Sequence, residues 1–273
     1  MNTKIRKALS GRFTIIKIII LYIRFIFTKK DNRIKKYKNA YQGRRCFIVG
    51  LGPSLSINDL EVLKKNGEIC FAVNRIYELF NLTSWRPDFY YISDPTAATD
   101  ETVYSIEKMI LNDGVVAFYS KNSFDNMPKE AISCRQLDFF SPLYNSKTLL
   151  LKKNYLKCKF SKDASKYIYD GMTCILSVIQ LAYYMGFEQV ILLGCDCGTS
   201  KGREYGEGLK KRKKQYYDDE NNRALIADYA SLYNDMQKKQ IKMRVFNATR
   251  GGKLEVFERV SLESVCSWDE KDE

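Results

Sequence analysis

The sequence contains no histidine among its 273 residues. That absence excludes Ser-His-Asp and Cys-His catalysis, Cys₂His₂ zinc sites and any histidine base working near neutral pH. Eight cysteines are present, but none form a CxxC pair. Several lie in apolar runs, Cys46 in RRCFIVG and Cys70 in EICFAVN, and they read as small buried hydrophobes of a reducing compartment. Long apolar runs are missing as well. The longest uncharged stretch of the hydrophobic N-terminal segment, Ile18 to Ile23, falls far short of the roughly 20 residues a spanning helix needs. There is no internal repeat, no GxGxxG motif and no Walker A loop.

Net charge is absent from most of the chain. Residues 1–45 hold 14 Lys/Arg against Asp31 alone and so account for the whole formal charge of +13. The other 228 residues hold 31 bases and 31 acids. A nucleic-acid binder spreads positive charge over its folded face, so nucleic acid is not an expected partner. Within the basic segment Lys17 and Arg24 share one helical face, and Ile20 and Phe27 share another. Polybasic KIRK and KKDNRIKKYK flank them. Residues 1–40 therefore read as a basic amphipathic helix lying on an anionic membrane surface. The alternative is a helix packed on the body or on a second subunit of a homo-oligomer. No small-residue cleavage site follows, which argues against a signal peptide.

What is plentiful is core. Apolar residues make up 45% of the chain and aromatics 13%, with 19 Tyr, enough to fold a body over residues 41–273. Strands are expected at Cys46–Val49, Ile69–Val73, Phe89–Ile92, Val115–Tyr119, Gln189–Leu193 and Met243–Phe246. Helices are expected at Ile57–Lys65, Arg75–Phe80, Glu101–Leu111, Met172–Met185 and Asn221–Gln240. This alternation predicts an α/β, Rossmann-like, mostly parallel sheet with helices on both faces. The polar, charge-dense stretch over 198–220 interrupts it, either as a solvated insertion or as a lid over a site beyond the strand ends.

Five strand ends carry chemically suggestive residues. Gly50-Leu51-Gly52-Pro53-Ser54 follows the first strand; it could let a backbone approach an anion at a helix N-terminus, or be only a tight βα turn. Asn74 ends the second strand, as a ligand-reading amide or an N-cap. Asp94 ends the third, as a carboxylate at the site or part of a Ser-Asp-Pro turn. Asp170 and Thr173 precede the long apolar helix, where either could be a cap. Asp196 ends the next strand, and with Asp94 it would suit a divalent metal on a nucleotide diphosphate. Finally, Asn247-Ala248-Thr249-Arg250-Gly251-Gly252-Lys253 forms a turn in which Arg250 and Lys253 could hold phosphate or carboxylate.

Together GLGPSL, the strand-ending VN, RPDFYYISD, MTCILSVIQLAYYMGFEQVILLGCD and NATRGGKLEVFERV resemble the 6-hydroxymethylpterin diphosphokinase-like family. The GxGPSL, strand-ending Asn and Gly-Phe…Gly-x-Asp signatures are also similar to those of bacterial lipooligosaccharide sialyltransferases and of the central domain of flagellin-glycosylating motility accessory factors. The resemblance spans roughly Arg44 to Glu263. It implies that Gly50, Gly52, Ser54 and Asn74 contact a nucleotide, that Thr173 and Cys174 lie near it, and that Tyr205 meets the leaving phosphate. Where related polysaccharide-cluster proteins carry histidines, this sequence has Cys197 and Gln215-Tyr216-Tyr217. A base must then be a carboxylate: Asp94 first, because it terminates a strand at the expected site, with Asp196 and Asp218 as the alternatives.

The expectation is a glycosyltransferase-like enzyme of bacterial surface-polysaccharide synthesis, peripheral to the cytoplasmic face of the inner membrane. It would pass a sugar from a nucleotide donor, a CMP-sugar, to a glycan or lipid-linked acceptor. Two other readings stand beside it: an ATP diphosphotransferase using Mg²⁺, or a non-catalytic nucleotide- or glycan-binding membrane protein.

Overall fold

The computed structural model describes residues 30–94, 99–121, 126–137, 158–198, 206, 208–209 and 219–266. Residues 1–29 of the basic segment, most of the 198–220 insertion, and the candidate residues Tyr205 and Asp218 lie outside them. Among the described residues no helix is long and apolar enough to cross a membrane.

Ten strands are described. β1 (Arg45–Val49), β2 (Cys70–Val73), β3 (Phe89–Ile92), β4 (Val116–Ser120), β5 (Ile132–Cys134), β8 (Gln189–Leu193), β9 (Arg244–Asn247) and β10 (Glu258–Arg259) form one sheet, and β6 (Gln136–Leu137) and β7 (Ile168–Tyr169) form a two-stranded one. The large sheet runs β10-β9-β8-β1-β2-β3-β4-β5, with every recorded pairing parallel. The fold is α/β and Rossmann-like. The chain leaves β1 toward β5, then returns to β8 on the other side of β1. Strand order therefore reverses between β1 and β8, where the diverging connections open a crevice at the carboxyl ends.

Alternate residues of each central strand feed the two faces. Cys46 and Ile48, Phe71 and Val73, Phe89 and Tyr91, Val190 and Leu192 point to one core. Phe47 and Val49, Cys70 and Ala72, Tyr90 and Ile92, Ile191 and Leu193 point to the other. The second face is covered by α1 (Ile57–Lys65), α2 (Asp100–Asp113) and α5 (Leu262–Cys266) through Leu60, Leu63, Ile106, Met109, Leu262 and Val265. α3 (Cys174–Met185) and α4 (Asp219–Lys238) cover the first. α3 is apolar nearly all round because it is buried nearly all round. Thr173 caps its start, accepting from the Ile175 N–H, and Gly186 ends it in the left-handed region at φ 94°.

Two expectations change in detail. The segment at Arg75–Phe80 forms a 3₁₀ turn over Asn74–Leu79 rather than an α-helix, with Arg75 kinked inside it. The described end of the 1–40 segment belongs to the body: Asn32–Tyr37 is a 3₁₀ turn whose Ile34 and Tyr37 are buried. Tyr37 packs edge-on against Phe89 and Phe118. The Arg33 guanidinium donates to the carbonyls of Lys129 and Ala131 while holding Asp31. Composition grouped these residues with the arm, since their lysines face solvent, but the apolar positions between them complete the core.

Candidate functional site

The crevice between β1 and β8 opens into a cleft of about 150 Å³. One wall is the β1–α1 turn and the facing one is the loop after β8. The two are sewn together by backbone bonds, Gly50 N–H to Leu193 O at 2.7 Å and Gly52 N–H to Gly194 O at 2.8 Å. The glycines are there for this crossing. A Cβ on Gly50 would lie 2.5 Å from Gly194 O, and one on Gly52 would lie 2.0 Å from Asp196 Oδ2. Of the two uses the sequence allows, ligand approach or a tight βα turn, the contacts account for the glycines by the close approach of the neighbouring loop, and both also line the cleft.

Asp196 sits at the centre of this junction. Its Oδ2 accepts the Ser54 hydroxyl at 2.9 Å and, more distantly, the Ser54 N–H. Its backbone carbonyl accepts the Lys253 N–H at 2.7 Å. Its Oδ1 is buried, with no donor among the described residues. Burial pushes the carboxyl above the ordinary range, while the Ser54 bonds pull it back. Asp196 is thus an oriented, partly desolvated carboxylate with one oxygen uncommitted.

Across the turn, Asn74 follows β2 with φ 50°, a conformation that costs a non-glycine residue about 1 kcal/mol or more. The Tyr90 hydroxyl donates to its carbonyl, and its Nδ2 donates to Cys174 Sγ at 3.4 Å. The first bond holds the backbone and the second the side chain, and Oδ1 is left buried, again with no donor among the described residues. Asn74 caps no helix through its side chain. Asp94 and Thr173 complete the part of the cleft expected from sequence. Burial pushes the Cys174 and Cys197 thiols up to about 12, so both stay protonated near neutrality and neither is a thiolate nucleophile.

Gly50, Gly52, Asn74, Asp94, Thr173, Cys174 and Asp196 therefore come together around one cleft, with Ser54 behind Asp196. Two expected residues do not join them. Arg250 donates to both Asp59 oxygens at 2.6 Å and to Ser56 Oγ. Asp59 is a buried carboxylate of the α1 capping box, and its nearby unbalanced charge draws the guanidinium there rather than to the cleft. Lys253 lays its side-chain carbons beside Gly198 and engages Asp196 through its backbone. The insertion touches the glycine turn at one described point: buried Gly206 donates its N–H to Leu51 O at 2.9 Å.

Sequence reading missed the contribution of α4. Asn222, Leu225 and Tyr229 line the cleft from that helix, and Asp228 braces the loop before α3 by accepting the Met172 N–H at 2.9 Å. Burial pushes the Asp228 carboxyl up to about 6, opposed by that hydrogen bond. A folded pKa above the unfolded value means stability is fullest below about pH 4 and is lost as pH rises to about 6. Asp228→Asn keeps an acceptor for Met172 and removes the buried charge. It should gain roughly 2 kcal/mol at pH 7.5, about 5 °C in melting temperature, and nothing at pH 4. Thermal melts of both proteins across pH 4–7.5 check this; parallel curves would refute it.

A family model described as 6-hydroxymethylpterin diphosphokinase MptE-like matches residues 22–202. No curated protein matches the chain. Solved structures similar to it include two glycosyltransferases. One is the MAf glycosyltransferase from Magnetospirillum magneticum AMB-1, at 15% identity and TM-score 0.49, covering 85% of this chain and 38% of that one. The other is the sialyltransferase CstII from Campylobacter jejuni in complex with a substrate analogue, cytidine-5′-monophosphate. It matches at 15% identity and TM-score 0.47, covering 81% of this chain and 86% of that one.

Proposed function

The chain belongs to the 6-hydroxymethylpterin diphosphokinase MptE-like family, and on that premise we propose that it is a nucleotide-dependent glycosyltransferase. The observation that carries this reading is Asp196. It is a buried carboxylate with a raised pKa, oriented by Ser54, with Oδ1 uncommitted at the strand-order switch point beside a glycine turn. A carboxylate so placed can take the proton of an acceptor hydroxyl. The freed oxygen pair then bonds the anomeric carbon of the donor sugar, and the nucleotide leaves with the electrons of the broken bond. Asn74, Thr173 and the glycine turn hold the nucleotide in this reading. Asp94, at the end of β3, is the second carboxylate facing the same space.

The donor we propose is a CMP-sugar, following the resemblance of GLGPSL and Asn74 to sialyltransferase signatures, and the acceptor is a glycan or lipid-linked hydroxyl. The basic segment 1–40, apart from the turn packed on the body at its end, supports peripheral attachment to an anionic cytoplasmic leaflet.

The family description favours a second reading, diphosphate transfer from ATP. Asp94 and Asp196 would then hold Mg²⁺, which supplies charge neutralisation for the transferring group. The cleft fits that ion in part. Uncommitted hard oxygens are present on Asp196 and Asn74, but no group of three His, Cys, Asp or Glu side chains suited to a metal forms among the described residues.

Calorimetric titration of the full chain with CMP, CTP, UDP, GDP and ATP, each with Mg²⁺ or with EDTA, separates the readings. CMP or CTP binding that survives EDTA is the expected result. ATP binding that needs Mg²⁺ moves the assignment to diphosphate transfer. No binding at all overturns both.

A further inference from the structure

Asn222 stands in the first turns of α4, on the helical face that also carries Leu225 and Tyr229, all three lining the cleft. An apolar residue would complete that face. The side chain here is polar, only 4% exposed, and its Oδ1 is buried with no donor among the described residues. A buried acceptor left unpaired costs roughly 1–3 kcal/mol, so this position is explained if something else supplies the donor. Two more uncommitted oxygens, on Asn74 and Asp196, line the same cleft. Its only described cation is Arg75, which is paired with Glu78 at 3.0 Å. Oxygens without donors repel phosphate and attract hydroxyl groups.

We propose that Asn222 is a substrate-binding residue whose amide oxygen accepts a hydrogen bond from a hydroxyl of the donor, on the ribose or on the sugar it carries. This rests on the reading of the cleft as a nucleotide-donor site. It extends that site to α4, which no sequence motif marks.

The test titrates wild type and Asn222→Leu, both as full chains in EDTA, with CMP, 2′-deoxy-CMP, 3′-deoxy-CMP and CMP-N-acetylneuraminic acid, and with ATP and 2′-deoxy-ATP. If the partner is a ribose hydroxyl, wild type loses about 10-fold in affinity for one deoxy analogue. Asn222→Leu then binds the parent nucleotide about 10-fold more weakly and is indifferent to the same deletion. If the partner is on the sugar, Asn222→Leu binds CMP like wild type and loses about 10-fold only for the CMP-sugar. Unchanged binding of every probe overturns the proposal and leaves the donor site standing. A uniform loss across all probes, deoxy analogues included, also overturns it, since it marks a structural effect. Wild type binding none of the nucleotides removes the donor-site reading itself. Asn222→Ser, which leaves more room, repeats the comparison if the leucine variant does not fold.

Discussion

Gly52→Ala is expected to abolish nucleotide binding and to lower the melting temperature by about 5–10 °C, the result of roughly 2–3 kcal/mol of overpacking. The added methyl would sit 2.0 Å from Asp196 Oδ2 and 2.6 Å from Gly194 O. A side chain could swing away from such a contact; a backbone carbonyl bonded to the Gly52 N–H cannot without breaking that bond. The β1–α1 turn must therefore lift off the β8 loop, taking Ser54 from Asp196 and opening the cleft. Gly67→Ala is the control. Its Cβ meets nothing within 4 Å, so only the φ of 62° is strained, at about 1 kcal/mol. It should melt slightly earlier and bind nucleotide normally. Calorimetric titration and thermal melts of both variants decide the matter, and a Gly52→Ala protein that binds like wild type would overturn the account of the junction.

Asp196→Asn should separate binding from turnover. The amide keeps the shape and can still accept the Ser54 hydroxyl, but it cannot take a proton. Transfer should fall by about 100- to 1000-fold, while the nucleotide Kd changes little. Because burial raises the pKa of this carboxyl, removing its charge should also stabilise the fold near neutral pH. In wild type the rate should decline on the acid side as Asp196 becomes protonated, at a pH above the ordinary carboxylate range. Rates measured against pH with a CMP-sugar donor test both statements. Unchanged turnover in the variant would transfer the role of base to another carboxylate.

The sheet was legible in the sequence where strands are apolar and buried on both faces. Phe89–Ile92 and Gln189–Leu193 are found within the expected limits, and β1, β2, β4 and β9 are displaced by a residue or so. The missed strands are short and carry no such signal: β10 is the dipeptide Glu258–Arg259, and β6 contains Gln136. Much of the site was legible for a related reason, since a parallel sheet presents whatever follows its strands at one edge. Asn74, Asp94 and Asp196 could be located by that rule alone. Asn222 could not. An asparagine near the start of a polar helix looks solvated, and only the packing of α4 on the cleft buries it. Arg250 illustrates the opposite failure: its partner Asp59 lies 191 residues away in the chain, and no local pattern announces an ion pair over that distance.

The turn at Asn32–Tyr37 has a consequence for where this protein can be cut. Just after it, the N–H groups of Asn39 and Tyr41 donate to the carbonyls of Tyr184 and Met185, the last turn of α3, which would otherwise lack partners. Gly186 is glycine partly because a Cβ there would lie 2.9 Å from the Asn39 Cα. A chain trimmed to begin at residue 40 would bare the Phe89–Phe118 aromatic cluster and take the Asn39 donor from the end of α3; one beginning at residue 30 would keep both. The described end of the basic segment is thus held against β3 and β4, two to three strands, about 10–14 Å, from the β1–β8 crevice. Any surface that captures the residues before 30 would therefore pull on that flank of the sheet, away from the mouth of the cleft.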